Sequence, residues 1–204
     1  MRFSPNAPIN FPSQLMGVAS PAQTVTLTNA GPQPLSIGSM KITSSFHQTN
    51  TCGKSVAAGA NCKIEITFKP ETTNTVSGTL TISDSASSKP QVIEVSGTGT
   101  VVKLAPAKLA FGNQKAGTAS APQTVTVSNQ GTAALSLTQI YVGGTNYRDF
   151  SQTNNCPPSL NAGANCVVTV VFDPIKSGAR NAILGLVDNG GGSPQTVPLT
   201  GSGD

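Results

Sequence analysis

Two stretches of this chain decide its fold: FPSQLMGVASPAQTVTLTNAGPQPLSI at residues 11–37 and FGNQKAGTASAPQTVTVSNQGTAALSL at residues 111–137. A second pair follows in the same order, with CGKSVAAGANCKIEITFKP at residues 52–70 and CPPSLNAGANCVVTVVFDP at residues 156–174. Matching positions are 100 residues apart in the first pair and 104 in the second. Self-similarity at a nearly fixed offset is the signature of a repeated module. The chain therefore contains two copies of one module.

Each copy consists of short runs in which apolar and polar residues alternate. The clearest runs are QTVTLT at residues 23–28 and QTVTVS at residues 123–128. Alternation with a period of two predicts half-buried antiparallel strands with one packed face and one wet face. Turn residues separate the runs, since 21 Gly and 15 Pro occur in 204 residues. About seven strands in about 100 residues predict an all-β fold of two tandem immunoglobulin-like β-sandwich domains, residues 1–99 and 100–204.

The composition argues against two classes of partner. Charged residues make up 10% of the chain, the net charge is +4, no two basic residues are adjacent, and Trp is absent. Nucleic-acid binders concentrate positive charge on one face and stack bases on aromatic rings, so we expect no nucleic-acid partner. No apolar run approaches the ~18 residues of a membrane span, and no apolar segment follows Arg2 as it would in a signal peptide. We expect the chain to be a fragment of a larger protein.

Each copy carries its own pair of cysteines, separated by nine residues: Cys52 and Cys62, then Cys156 and Cys166. A disulfide within each copy is the first hypothesis, and loop entropy would make each worth about 2.5–3 kcal/mol. Disulfides persist in oxidising compartments, which favours an extracellular or cell-surface location. Reduced thiols and a metal site are the alternatives. Zinc sites need four closely spaced Cys or His ligands, and the only histidine, His47, has Ser151 as its counterpart.

The sequence contains no set of residues typical of an active site. There are one histidine and eight carboxylates, and these do not cluster into a triad or a facing carboxylate pair. Asp84 and Asp188 are equivalent and begin turns. Residues 188–193, DNGGGS, lack the ligand pattern of a calcium loop and the Lys-Ser/Thr ending of a P-loop, so a hairpin turn is predicted. We expect no enzyme, no cofactor and no metal.

One segment distinguishes the second copy. The offset changes from 100 to 104 because four extra residues lie within residues 141–148, YVGGTNYR. Tyr and Arg are favoured at binding hot spots, so Tyr141, Tyr147 and Arg148 are candidate ligand contacts on a Gly-rich loop. A tolerated loop insertion without function is the alternative.

The motifs recur in a fixed order in both copies. They are Phe-x2-Gln-x2-Gly, Gln-Thr-Val-Thr-x2-Asn-x-Gly, Phe-x-Gln-Thr-Asn-x-Cys, Ala-Gly-Ala-Asn-Cys, Phe-x-Pro and a closing Gly-x-Gly. This series resembles the bacterial choice-of-anchor D repeats and the related ASH (abnormal-spindle, hydin-like) and PapD/major sperm protein immunoglobulin-like domains. The resemblance implies a β-sandwich with a paired-cysteine loop, tandem arrays in long secreted or surface-anchored proteins, and no catalytic residues.

Three functional hypotheses follow. The first is a non-catalytic structural or adhesive module of a secreted or surface protein: a spacer, stalk or fibre component. Its partners would be neighbouring domains of a longer parent chain and, through edge strands, other copies. The second is an extracellular glycan- or protein-binding module that uses residues 141–148. The third is an intracellular scaffold like the eukaryotic relatives, which requires free thiols.

Overall fold

The computed structural model describes residues 1–204 and confirms the all-β fold class. The chain forms two compact units, Met1–Gly99 and Thr100–Asp204. Apart from one short 3-10 turn, Tyr147–Asp149, the regular structure is β-strand. The chain has no helix that is both long and apolar enough to pass through a membrane.

The first unit is a sandwich of two sheets. Its strands are β1 (Arg2–Ser4), β2 (Ile9–Asn10), β3 (Gln14–Leu15), β4 (Gln23–Thr28), β5 (Leu35–Ile42), β6 (Phe46–Asn50), β7 (Ser55–Val56), β8 (Asn61–Phe68), β9 (Thr75–Asp84) and β10 (Gln91–Thr100). One sheet has the order β1-β4-β8-β6, and the other has the order β2-β10-β9-β5-β7, with β3 also paired to β10. The alternating run predicted at residues 23–28 is β4, and the unit has ten strands rather than about seven because short pairing segments of two to five residues add to the long strands.

The second unit repeats this architecture. Its strands are β11 (Val102–Ala105), β12 (Leu109–Gln114), β13 (Gln123–Asn129), β14 (Leu135–Gly143), β15 (Phe150–Asn154), β16 (Ser159–Leu160), β17 (Asn165–Phe172), β18 (Gly178–Asp188) and β19 (Gln195–Gly203). The sheet orders are β11-β13-β17-β15 and β12-β19-β18-β14-β16. The sequence repeat is thus a repeat of strand order in three dimensions.

The core of each unit lies between its two sheets, as the alternation of apolar and polar residues predicted. In β8, Ile64, Ile66 and Phe68 are fully buried, while Lys63 and Glu65, which point to the opposite face, are exposed. Side chains from both sheets meet in one buried cluster per unit. A period-two pattern therefore places one face of each central strand inward, as antiparallel pairing requires.

A cluster of three phenylalanine rings forms one part of each core. Phe46 and Phe68 stack with centroids 4.9 Å apart, and Phe11 lies 5.8–5.9 Å from both. The second unit has the same cluster, made of Phe111, Phe150 and Phe172. Aromatic pairs at these separations add roughly 0.5–1.5 kcal/mol beyond their buried area. The phenylalanines of the repeated motifs are therefore packing residues.

The closing Gly-x-Gly motif is required by the same packing. A Cβ atom on Gly201 would lie 2.5 Å from the Phe172 ring, and one on Gly203 would overlap the backbone carbonyl of Lys176. Gly97 and Gly99 make the equivalent approaches in the first unit. Only glycine fits where a ring or a carbonyl comes this close to the backbone.

Candidate functional site

Each unit contains one disulfide, Cys52–Cys62 in the first and Cys156–Cys166 in the second, with 4.9 Å between the Cα atoms of each pair. Cys52 follows the end of β6, and Cys62 is the second residue of β8, the strand that pairs with β6. The Asn50 side chain orders the backbone just before the disulfide, since its Oδ1 accepts the N–H of Cys52 at 3.1 Å. All four cysteines of the chain are used in this way.

The first disulfide closes the loop that connects the two sheets. Strand β7 lies inside this loop and pairs with β5 of the opposite sheet, with Val56 opposite Leu35. Cys52 and Cys62 are themselves buried among the core residues. The bridge therefore fixes both ends of the connection between β6 and β8, while β7 in the middle of that connection is held by β5 of the other sheet.

A buried asparagine beside each disulfide loop holds the turns together. The Asn129 side chain is only 1% exposed. Its Nδ2 donates to the carbonyls of Ala133 at 2.8 Å and Leu160 at 3.0 Å. Its Oδ1 accepts the N–H of Gly131 at 3.0 Å. Asn29 makes the equivalent bonds in the first unit. The asparagine of Thr-x2-Asn-x-Gly is therefore a structural cross-link between loops.

The glycine-rich segment 188–193 forms a turn held by local hydrogen bonds, although Asp188 Oδ2 is buried without a hydrogen-bond partner. Asp188 Oδ1 accepts the N–H of Gly190 at 2.7 Å, and the Ser193 hydroxyl oxygen accepts the N–H of Asp188 at 2.9 Å. Gln195 Nε2 donates to the carbonyl of Gly191 at 2.5 Å. Burial raises the pKa of the Asp188 carboxyl, while the hydrogen bond from Gly190 opposes that shift. These bonds give Asp188 and Ser193 a local role in shaping the turn.

The remaining titratable side chains are dispersed. His47 is exposed on β6 opposite Thr67 of β8. Glu65 and Glu94 are exposed on strands of different sheets. No three His, Cys, Asp or Glu side chains lie close enough together to hold a metal ion.

The structure separates Tyr141 from the other two candidate ligand contacts. The sequence placed Tyr141 on a Gly-rich loop, but it lies within β14, opposite Gly185 of β18. Its ring covers Gly185, where a Cβ atom would lie 2.6 Å from Tyr141 Cε1. An aromatic ring packed over a cross-strand glycine stabilises a sheet pair. Tyr141 therefore packs on Gly185 as a strand residue, which a position on a loop would not allow.

Tyr147 and Arg148 do lie together, on the 3-10 turn that follows β14. Arg148 Nε donates to the Tyr147 hydroxyl at 3.2 Å, and the Arg148 Cζ atom is 5.7 Å from the Tyr147 ring centroid. Tyr147 is 46% exposed. The hydrogen bond to Tyr147 raises the pKa of Arg148. The pair presents an exposed aromatic ring beside an exposed cation.

An ion pair that the sequence analysis missed anchors this turn. Asp149 is 5% exposed and its Oδ2 lies 3.3 Å from Arg180 Nε. Asp149 Oδ1 also accepts the N–H of Ile175 at 3.1 Å. The counterparts in the first copy are Ser45 and Val76, both uncharged. This paired change between copies was the signal that could have revealed the contact.

A shallow cleft of about 410 Å³ lies beside the turn. We call it the Tyr147 cleft, and its lining includes Tyr147, Arg148, Asp149, Ile175, Lys176 and Arg180. Ile175 is 61% exposed on one side of it. The cleft combines apolar surface with three basic side chains and one buried carboxylate.

The fold and its internal cross-links define a tandem pair of immunoglobulin-like β-sandwich domains, and the comparisons identify their family. Residues 100–196 match the family described as abnormal spindle-like microcephaly-associated, ASPM-SPD-2-Hydin (ASH). Residues 10–98 match the family described as HYDIN/CFA65/VesB-like, Ig-like domain. Residues 100–196 therefore belong to the ASH domains and residues 10–98 to the HYDIN/CFA65/VesB-like Ig-like domains, which confirms the ASH part of the resemblance predicted from the motifs.

The chain is similar to solved structures from diverse sources. A protein of unknown function from Porphyromonas gingivalis W83 is 13% identical, with a TM-score of 0.42 over 98% of both chains. The secreted serine protease VesC from Vibrio cholerae is 15% identical, with a TM-score of 0.37 over 83% of this chain and 46% of VesC. The PapD-like domain 7 of human CEP192 is 18% identical, with a TM-score of 0.38 over 52% of this chain and 86% of that domain. No curated protein matches the chain in sequence.

Proposed function

We propose that the chain is a non-catalytic structural module of a secreted or cell-surface protein, acting as a spacer or stalk between neighbouring domains of a longer chain. Three features support this proposal. Each unit is closed by a disulfide, a bond that persists in oxidising compartments. The recurring motif residues are occupied by packing and by internal hydrogen bonds. The carboxylates and the single histidine are dispersed rather than gathered at a cleft.

In each unit the last strand pairs in parallel with a strand near the start of the unit, and this pairing carries the proposal. In the second unit β12 and β19 are parallel, with Leu109 opposite Leu199 and Gln114 opposite Gly203. Tension between the start of β12 and the end of β19 therefore slides the strands along each other. Their hydrogen bonds are loaded together, whereas an antiparallel terminal pair would unzip one bond at a time. In the first unit β2 and β10 are also parallel, with Ile9 opposite Val95.

The compartment is tested by mapping the cysteines in protein exported to an oxidising compartment. We expect intact mass with alkylation to show no free thiol, and peptide mapping to find Cys52 linked to Cys62 and Cys156 linked to Cys166. The measurement has a matched internal control, because the two loops have equal sequence separations of 10. Four alkylated thiols would overturn the extracellular proposal and favour the intracellular scaffold.

Self-association through edge strands remains a proposal for fibre formation. The edges of the first unit are β1 and β6 in one sheet and β2 and β7 in the other. Each contains two to five residues. Short edges limit pairing between chains, which favours the spacer over the fibre.

A second candidate function is an extracellular ligand-binding module. The ordered contact between Tyr147 and Arg148 favours it, because a preorganised aromatic and cation lose little entropy on binding. Of the three candidate contacts from the sequence, we retain Tyr147 and Arg148 for this role. Tyr141 would contribute to this function only indirectly, by stabilising β14, the strand that precedes the turn.

A further inference from the structure

The two copies differ in charge at the Tyr147 cleft. Arg148, Lys176 and Arg180 of the second copy replace Ser44, Thr72 and Val76 of the first. At the same surface, Ile175 replaces the carboxylate Glu71. The second unit has thus acquired three cations at positions that otherwise share the same fold, while the loss of the Glu71 carboxylate is offset by the gain of Asp149 in place of Ser45.

Two of the three cations have no carboxylate partner. Arg180 is paired with Asp149 in the only ion pair of the chain. Arg148 and Lys176 are exposed and belong to no ion pair. The only hydrogen bond of the Arg148 side chain is the one from Nε to Tyr147, which leaves its two terminal nitrogens available. Asp173 lies in the adjoining depression, which Arg148 also lines, but it forms no ion pair with Arg148.

The cleft also offers apolar surface of the kind that a sugar ring covers. Tyr147 is 46% exposed and Ile175 is 61% exposed, and both lie beside the available cations. Its volume of about 410 Å³ lies within the usual range for small-ligand sites. An aromatic face flanked by Arg and Lys suits a ligand that carries both a ring and an anionic group.

We propose that the Tyr147 cleft binds an acidic polysaccharide, with a sugar ring on Tyr147 and its carboxylate or sulfate groups on Arg148 and Lys176. This inference rests on the second candidate function and is independent of the spacer. Arg148 supplies a planar guanidinium that pairs with an oxyanion through two nitrogens, and Lys176 supplies a point charge. The Asp149–Arg180 ion pair holds the turn in place beneath them.

The test is binding of the whole chain to four probes: polygalacturonate, dextran sulfate, neutral dextran and single-stranded DNA. We expect one or both acidic polysaccharides to bind, and R148Q and Y147A each to weaken that binding about tenfold or more. K103Q is the matched control, since Lys103 is an exposed cation on β11 outside the cleft. Polygalacturonate and dextran sulfate separate a carboxylate ligand from a sulfate ligand. Melting curves check that each variant is folded.

Each other outcome overturns a defined part of the proposal. Binding of neutral dextran that Y147A abolishes and R148Q leaves unchanged would retain the binding module and refute the acidic class. Equal binding of DNA, weakened equally by K103Q and R148Q, would show non-specific electrostatic attraction and refute the site. No binding to any probe would refute this inference alone, because a protein ligand for the second candidate function is not among the probes, and the cysteine map would still test the extracellular module.

Discussion

Replacing Cys52 and Cys62 together by alanine is expected to lower the melting temperature of the first unit by about 10–20 °C and to leave the second unit unchanged. The bridge spans a sequence separation of 10, and its loop entropy corresponds to about 2.8 kcal/mol. For a domain of this size, each kcal/mol shifts the melting temperature by roughly 4–8 °C. Removing both cysteines avoids leaving one reactive thiol in the core.

Hydrogen-exchange mass spectrometry on heating follows the two units separately, because peptides from β8 and β17 belong to different units. The double alanine replacement of Cys156 and Cys166 is the matched control and should affect the second unit alone. Adding a reductant to the first variant should then destabilise only the unit that still has its bridge. An unchanged melt of the first unit in its variant would show that the bridge contributes nothing to stability.

Substituting Asn129 by alanine is expected to destabilise the second unit by about 3–5 kcal/mol, the larger of the two effects. The change removes two donors and one acceptor at a site that is 1% exposed. Each buried backbone group left unpaired costs about 1–3 kcal/mol. Such a loss is a large part of the roughly 5–15 kcal/mol that stabilises a typical domain. Chemical denaturation of the whole chain, with one transition assigned to each unit, measures it.

Two further variants define the cause. Asn129→Asp keeps the acceptor for Gly131 but loses both donors and sets a carboxylate against two carbonyl oxygens, so we expect it to be at least as destabilising as alanine. Asn161→Ala changes an exposed asparagine of the same unit and should fall within about 0.5 kcal/mol of the unmodified chain. Equal stability of the Asn129→Ala and Asn161→Ala variants would refute the cross-linking role.

Local patterns predicted the strands well and the loops poorly, for a physical reason. Alternation reports which face of a strand is covered, and the burial of Ile64, Ile66 and Phe68 follows from it directly. Asn129 was visible only as a turn residue. Its burial depends on a loop that folds over it from Leu160, 31 residues away, and no local period records such a contact.

The insertion shows the same limit. The change of offset from 100 to 104 shows that four extra residues lie somewhere within residues 141–148. It does not show where β14 ends. The strand continues through Gly143 because Gly185 on the neighbouring strand leaves room for the Tyr141 ring. The Asp149–Arg180 pair joins residues 31 positions apart, so only a comparison of both positions between copies indicates it.

The most direct test of the spacer is to stretch single molecules between the two ends of the chain. We expect two discrete unfolding events at comparable forces, because β2 and β3 both pair with β10 in the first unit, as β12 pairs with β19 in the second. Each disulfide keeps its loop, about 35 Å long when extended, from stretching when the unit unfolds. Reduction should therefore lengthen the unfolding step of each unit by about 30 Å. Smooth extension at low force, with no discrete event from either unit, would contradict a tension-resisting module.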